Sequence, residues 1–134
     1  MRIMFDTNIL YSAIVLKSIY LNEILENVVD NHVLILCSYV VDELYDVAAR
    51  KHPGKENDLY EFMSEQSFEL VNSLEFVEEK DMIFEIRDED DYIILHTAIV
   101  EKIDVLITND KDFFEVDIKC PHIITPKEFK DNYM

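Results

Sequence analysis

Glycine is nearly missing from this chain, one residue in 134, and proline occurs only three times. So few breakers leave no material for long irregular linkers. Cysteine is scarce as well. Cys37 and Cys120 stand far apart, in apolar surroundings and outside any CxxC pair, so both read as small buried hydrophobes and not as a disulfide or a metal pair. No apolar run approaches the roughly 20 residues that cross a bilayer. The opening MRIMFDTN carries one basic residue and meets Asp6 almost at once, unlike a signal peptide, so a cytoplasmic protein with no membrane association is expected.

Positive charge is the largest deficit. Lys and Arg number 12 against 29 Asp and Glu, a formal net charge of −17. Such a surface repels polyanions at long range, which argues against indiscriminate nucleic-acid binding. Any protein of this composition that handles a polyanion has to gather its few cations locally. What the chain does have is apolar material: 49 % hydrophobic residues, too many for disorder and enough for the core of a single domain over residues 1–134.

Short apolar runs alternate with amphipathic stretches, the pattern of an α/β domain around a mainly parallel sheet. The first run, IMF at 3–5, stops at Asp6, with Thr7 or Asn8 the expected cap of a helix through Leu10, Ala13 and Ile14. Further helices are expected over 19–29, over 39–49 with Ser38 as cap, over 56–66 and over 91–102, with a last helical turn at 126–130. Runs at 33–37, 68–71, 105–108 and 122–124 read as strands.

Four acids stand where an ordinary soluble domain has little use for them. Asp6 and Asp110 each follow a buried run directly, at the carboxyl end of a strand, where parallel sheets build ligand sites. Either one alone is equally well read as a helix cap. Glu43 lies three residues after Val40 and four before Val47, so helical spacing puts a carboxylate on or beside the apolar stripe. Asp91 repeats the anomaly ahead of Ile94, Leu95, Ala98 and Ile99. An inward acid costs several kcal/mol unless it is paired or binds a metal. The alternative is a salt bridge to Arg2, Arg87 or another base, but four separate pairings strain a supply of 12 cations. A shared ion fits better, and all-carboxylate donors suit magnesium or manganese, whereas zinc takes His or Cys.

These residues sit in segments that resemble a family. FDTNILYSA (5–13), VVDEL (40–44), DDYIILHTAI (90–99) and LITNDKDF (106–113), in this order, look like the PIN-domain ribonucleases, and within them the VapC-like toxins of type II toxin–antitoxin pairs. The resemblance implies a three-layer α/β/α fold with about five parallel strands in the order 3-2-1-4-5. It implies hydrolysis of RNA by a water activated by Mg2+ or Mn2+. The family's acids fall on Asp6, Glu43, Asp91 and Asp110, with Thr108 and Asp112 as auxiliaries and Asn8 supporting the first acid. Within the string DEDD at 88–91, Asp91 heads the apolar stripe, Asp90 is the fallback, and Asp88 is expected to lie outside the set. Asn109 stands where many relatives carry Gly, a departure that removes no ligand. A homodimer and a small antitoxin are the partners the resemblance implies.

Other signals are weaker. Arg50, Lys51 and Lys55, with His52 among them, form the one basic cluster, suited to RNA phosphates or simply to a helix C-terminus. Tyr39, Tyr45 and Tyr60 suit packing better than base stacking, and His32, His52, His96 and His122 are poor candidates for a base or ligand. A phosphatase with an N-terminal DxDxT would need an acid at Asn8. A receiver domain would need an acidic pair after the first strand. The rivals left standing are a PIN-fold binding module without catalysis and an RNA-processing nuclease outside any toxin–antitoxin pair.

Overall fold

The computed structural model describes residues 1–74 and 78–134. Strands β1 (Arg2–Phe5), β2 (Val33–Cys37), β3 (Glu69–Val71), β4 (Val105–Ile107) and β5 (His122–Ile124) form one parallel sheet in the order β3-β2-β1-β4-β5. Parallel neighbours need long crossovers. Helices α1 (Thr7–Ile14), α2 (Ile19–Asn31), α3 (Ser38–Lys51), α4 (Glu56–Glu65), α5 (Glu89–Val100), α6 (Lys111–Phe114) and α7 (Pro126–Tyr133) lie on those connections and after the last strand. The central strands are buried on both faces: Ile3, Met4 and Phe5, then Leu34, Ile35, Leu36 and Cys37, then Val105, Leu106 and Ile107. Helices therefore cover both sides of the sheet, and this double burial is why the strands appear in sequence as unbroken apolar runs. The expected α/β fold and strand order are the observed ones.

From β1 the chain winds outward to β2 and β3, then returns to the other side of β1 for β4 and β5. Strand order thus reverses between β1 and β4, where a crevice opens beyond the carboxyl ends. Phe5 pairs with Ile107, and the Asp6 N–H donates to the Ile107 carbonyl at 3.2 Å, so Asp6 and Thr108 emerge side by side.

Several local expectations shift. Asp6 itself caps α1, its carboxylate accepting the Ile9 N–H, in place of Thr7 or Asn8. Ser38 is the first residue of α3 and makes no cap, because its hydroxyl pairs with that of Ser73 at 2.9 Å. Asp88 caps α5, which starts at Glu89 ahead of the expected Asp91. The last turn is a helix of 8 residues fixed by a Thr125–Glu128 capping box. Cys37 is buried as expected, but Cys120 is exposed: between Lys119 and His122, both exposed, it is Pro121 that turns inward. With glycine so rare, two left-handed positions fall on Lys17 (φ 56°) and Lys102 (φ 54°), at a cost of about 1 kcal/mol each.

Candidate metal centre

Asp6 is fixed from two sides. One carboxylate oxygen accepts the Ile9 N–H at 3.0 Å, and the other accepts the Thr108 hydroxyl. That hydroxyl oxygen also accepts the Asp110 N–H at 3.0 Å. Thr108, wholly buried at the end of β4, thereby ties the acid of β1 to the acid after β4. Asp110 in turn caps α6 by accepting the Asp112 N–H at 3.0 Å. Asp91, in the first turn of α5, reaches the same place, and Asp91, Asp110 and Asp112 each offer a carboxylate oxygen within 4.8 Å of the other two.

Glu43 comes from the second turn of α3, one turn after Tyr39 on the same face. Asp6, Glu43, Asp91 and Asp110 together line a cavity of about 130 Å³, completed by Thr7, Asn8, Asp88, Asp90 and Ile94. The acids form two groups joined by Asp6: Asp91, Asp110 and Asp112 on the β4 side, Glu43 and Asp90 around the Tyr39 hydroxyl on the α3 side.

This geometry has relatives. A family model described as PIN domain matches residues 2–112, a range that holds every acid of the cavity. The chain belongs to the PIN domain family. Among solved structures, a chain in the crystal structure of VapBC2 from Rickettsia felis, bound to a DNA fragment from their promoter, superposes with a TM-score of 0.69. Its sequence is 24 % identical, with 92 % of this PIN domain and 97 % of that chain covered, a likeness of fold. No curated protein matches in sequence.

The electrostatics of this PIN domain are those of a site short of positive charge. Burial, above all, pushes the Asp6 carboxyl up, with Asp110 and Glu43 adding to the effect against the hydrogen bonds from Thr108 and Ile9. Burial also raises Glu43, with Asp90 and Asp88 contributing, while Tyr39 works in the opposite direction. Asp91 is pushed up to about 7, first by burial and then by Asp110, Asp88, Asp6 and Asp112. Burial and the two neighbouring carboxylates push the Tyr39 phenol upward as well. Among the described residues, no Lys or Arg forms an ion pair with Asp6, Glu43, Asp91 or Asp110. Arg2 is engaged with Glu69 at 2.8 Å and Arg87 with Asp112 at 3.1 Å, so the salt-bridge alternative fails for the four.

The donor set fits a hard divalent ion, since the cavity lining offers carboxylate, hydroxyl and amide oxygens and neither His nor Cys. The Thr7 hydroxyl, buried in that lining, lies beside Glu43 and, like Tyr39, works against the rise of its carboxyl. Asp91 faces Asp110 and Asp112, whereas Asp90 faces Tyr39 and Glu43, so both acids border the cavity from different sides. Asp88, expected outside, also borders it; as the N-cap of α5 it cannot stand far from the first turn that carries Asp91. Tyr39 was legible as Glu43's neighbour at i−4, but its hydroxyl role was not. Nothing in the sequence marked Arg87 as the partner of Asp112.

The basic cluster does not join the acids. Arg50 and Lys51 stand in the last turn of α3, about two turns or ~10 Å beyond Glu43 along the helix. They are exposed and favour the negative helix end. Lys55 leans toward Asp58 at 3.9 Å, and His52 bonds the Tyr11 hydroxyl at 2.5 Å. Tyr45 and Tyr60 pack on each other, with ring centroids 5.1 Å apart. No histidine lines the cavity.

Proposed function

We propose that this PIN domain is a magnesium- or manganese-dependent endoribonuclease hydrolysing RNA phosphodiester bonds, the toxin nuclease of a toxin–antitoxin pair, working in the cytoplasm. The observation that carries the chemistry is the meeting of Asp6, Glu43, Asp91 and Asp110 in one cavity with no Lys or Arg of the described residues paired to any of them. These four would hold the ion, with Asp112 and Thr108 as auxiliaries. The bound ion supplies polarisation of a phosphoryl oxygen and a more acidic water. The chain's own groups prepare the place for it. Thr108 and the Ile9 N–H fix both oxygens of Asp6, so this donor loses little freedom when it is used. Asp91, pushed up to about 7, would give up its proton near neutral pH as another positive charge takes its place. Ile94 gives the cavity an apolar wall that limits hydration.

The toxin assignment is supported by the likeness to a chain found in the VapBC2 complex with promoter DNA. A small antitoxin partner and a homodimer complete the reading, because −17 of formal charge leaves one subunit little positive surface to guide RNA. Among the described residues, no helix is long and apolar enough to cross a membrane. The deciding experiment is cleavage of single-stranded RNA with Mn2+ or Mg2+, repeated with chelator and with Asp6→Asn. Metal-dependent cuts that the variant lacks are expected. Intact RNA from a chain that binds Mn2+ would overturn the nuclease and leave a binding module. Light scattering at micromolar concentration tests the dimer, and a pull-down with the product of a neighbouring reading frame tests the antitoxin.

A further inference from the structure

We infer that Arg87 is an exchangeable counter-ion, holding Asp112 while no divalent ion is bound and turning to an RNA phosphate when Asp112 is drawn to the ion. The second half rests on the ribonuclease reading; the first rests only on metal binding. Arg87 contacts Asp112 through a single bond, Nε to one carboxylate oxygen at 3.1 Å. Asp112 is one of the three acids whose oxygens converge within 4.8 Å, so the guanidinium occupies one of the charges an ion would use. Among the described residues, no other Lys or Arg forms an ion pair with that group.

The two partners are unequally placed. The Asp112 side chain is 21 % exposed, that of Arg87 84 %. The acid is held by its helix turn, while the arginine lies in solvent with room to move. Its backbone is nevertheless anchored, because the next residue, Asp88, caps α5 three positions ahead of Asp91. Arg87 also borders an open hollow of about 470 Å³ with Glu85, Ile86 and Glu115, so its head can turn without meeting packed structure. An exposed ion pair is weak and easily exchanged. A guanidinium carries five N–H donors in a planar fork that matches two phosphate oxygens, and Asp112 uses one of them. A phosphate approaching a cavity of acids therefore meets one group of matching charge and geometry at its rim.

The test is made on the whole chain with Arg87→Gln and Arg87→Lys, both at an exposed position that folding does not depend on. Mn2+ alone is titrated by calorimetry. Arg87→Gln is expected to bind it about threefold more tightly, the scale of one exposed ion pair removed. A single-stranded 2′-O-methyl oligoribonucleotide, which cannot be cut, is then titrated by fluorescence anisotropy with Mn2+ present. Arg87→Gln is expected to bind it about tenfold more weakly, the scale of a lost charged hydrogen bond, with Arg87→Lys in between. A merely structural arginine would not move the two affinities in opposite directions. Equal or weaker Mn2+ binding by Arg87→Gln, or equal oligonucleotide binding by all three proteins, overturns the inference. A wild-type chain that binds Mn2+ and the oligonucleotide with these differences, yet leaves ordinary RNA intact, refutes the nuclease and leaves Arg87 its role.

Discussion

The hollow between α1, α2 and α4, about 460 Å³, is larger than the cleft beyond β1 and β4 and carries nearly as many acids, Glu23, Glu26, Asp58, Glu61 and Glu65 against the six that line the cleft. Its acids are nevertheless ordinary. Glu23, Glu26, Glu61 and Glu65 are exposed to water, Lys17 stands 3.6 Å from Asp58, and Lys130 stands 3.4 Å from Glu23. In the cleft, Asp6 is buried, Glu43, Asp91 and Asp110 are half-buried, and none of these four forms an ion pair among the described residues. Water in the first hollow screens the repulsion, whereas neighbouring carboxylates in the second repel by about 1–4 kcal/mol per pair at intermediate dielectric. Acid count does not distinguish the two places. Desolvation and the missing counter-ion do.

Removing a cleft acid should give the largest effect. Asp6→Asn and Asp91→Asn preserve shape but delete a ligand charge, and RNA cleavage should fall by about ten- to a hundredfold, the scale of metal-site perturbations. A gel-based assay at saturating Mn2+ decides it. Either variant cutting at the wild-type rate would lower its acid to the rank of those in the α2–α4 hollow. Asp88→Asn retains a competent helix cap, and its expected loss is several-fold at most, through the field it exerts on Asp91.

The next effect is on stability. If the cleft lacks a counter-ion, supplying one should stabilise the fold by about 2.7 kcal/mol at a hundredfold excess over the dissociation constant. Differential scanning calorimetry with and without millimolar Mn2+ measures this. An unchanged melting temperature would mean that the cleft tolerates its charge as easily as the larger hollow does.

The sequence made the fold legible because the core strands are buried on both faces and therefore stand out as apolar runs ending in acids. Asp6 and Asp110 were conspicuous through those strand ends, Glu43 and Asp91 through helical spacing. Contacts between distant segments were not legible. The Ser38–Ser73 pair joins residues 35 apart, and the Thr108–Asp6 bond joins residues 102 apart, and neither has a local signature. The one-turn helix α6 is too short for any periodicity to show, although its cap, Asp110, was readable as one from its place directly after a strand. Arg87 was legible as a possible counter-ion for the four acids but not as the partner of Asp112, because an exposed arginine has no local signature until that acid is placed beside it.

A smaller effect should appear with pH. Asp91 titrates at about 7 in the fold against an ordinary 3.8, so between these values the folded chain binds a proton that the unfolded chain has lost. Its ionisation therefore disfavours folding: the metal-free protein loses stability as pH rises from about 4 to 7, and no further from this group above that. Asp6 and Glu43, also raised, act in the same direction. Melting should be higher at pH 5 than at pH 8 by about 3 °C, the shift of roughly 1 kcal/mol in a chain of this length. Mn2+ should narrow the gap, since it stabilises the ionised form. A metal-free chain more stable at pH 8 would show that the cleft acids are compensated after all.

The smallest effect belongs to the larger hollow, and it tests the contrast from the other side. Glu61 and Glu65 lie on exposed turns of α4 and form no ion pair among the described residues. Changing both to Gln removes two negative charges from a hollow already rich in them. If hydration alone keeps those acids content, the double variant should melt within the range of about ±0.5 kcal/mol typical of surface substitutions. Its Mn2+ affinity and its RNA cleavage should stay within about twofold of wild type, because Glu61 and Glu65 are exposed, line a different hollow from the cleft and are screened by salt. Low salt sharpens the measurement, since any long-range contribution of the hollow to metal or RNA binding grows as screening falls. A several-fold loss of Mn2+ affinity in Glu61→Gln/Glu65→Gln at 150 mM salt would break the comparison: the hollow would then hold an ion of its own, and exposure would be no guide to which acids matter.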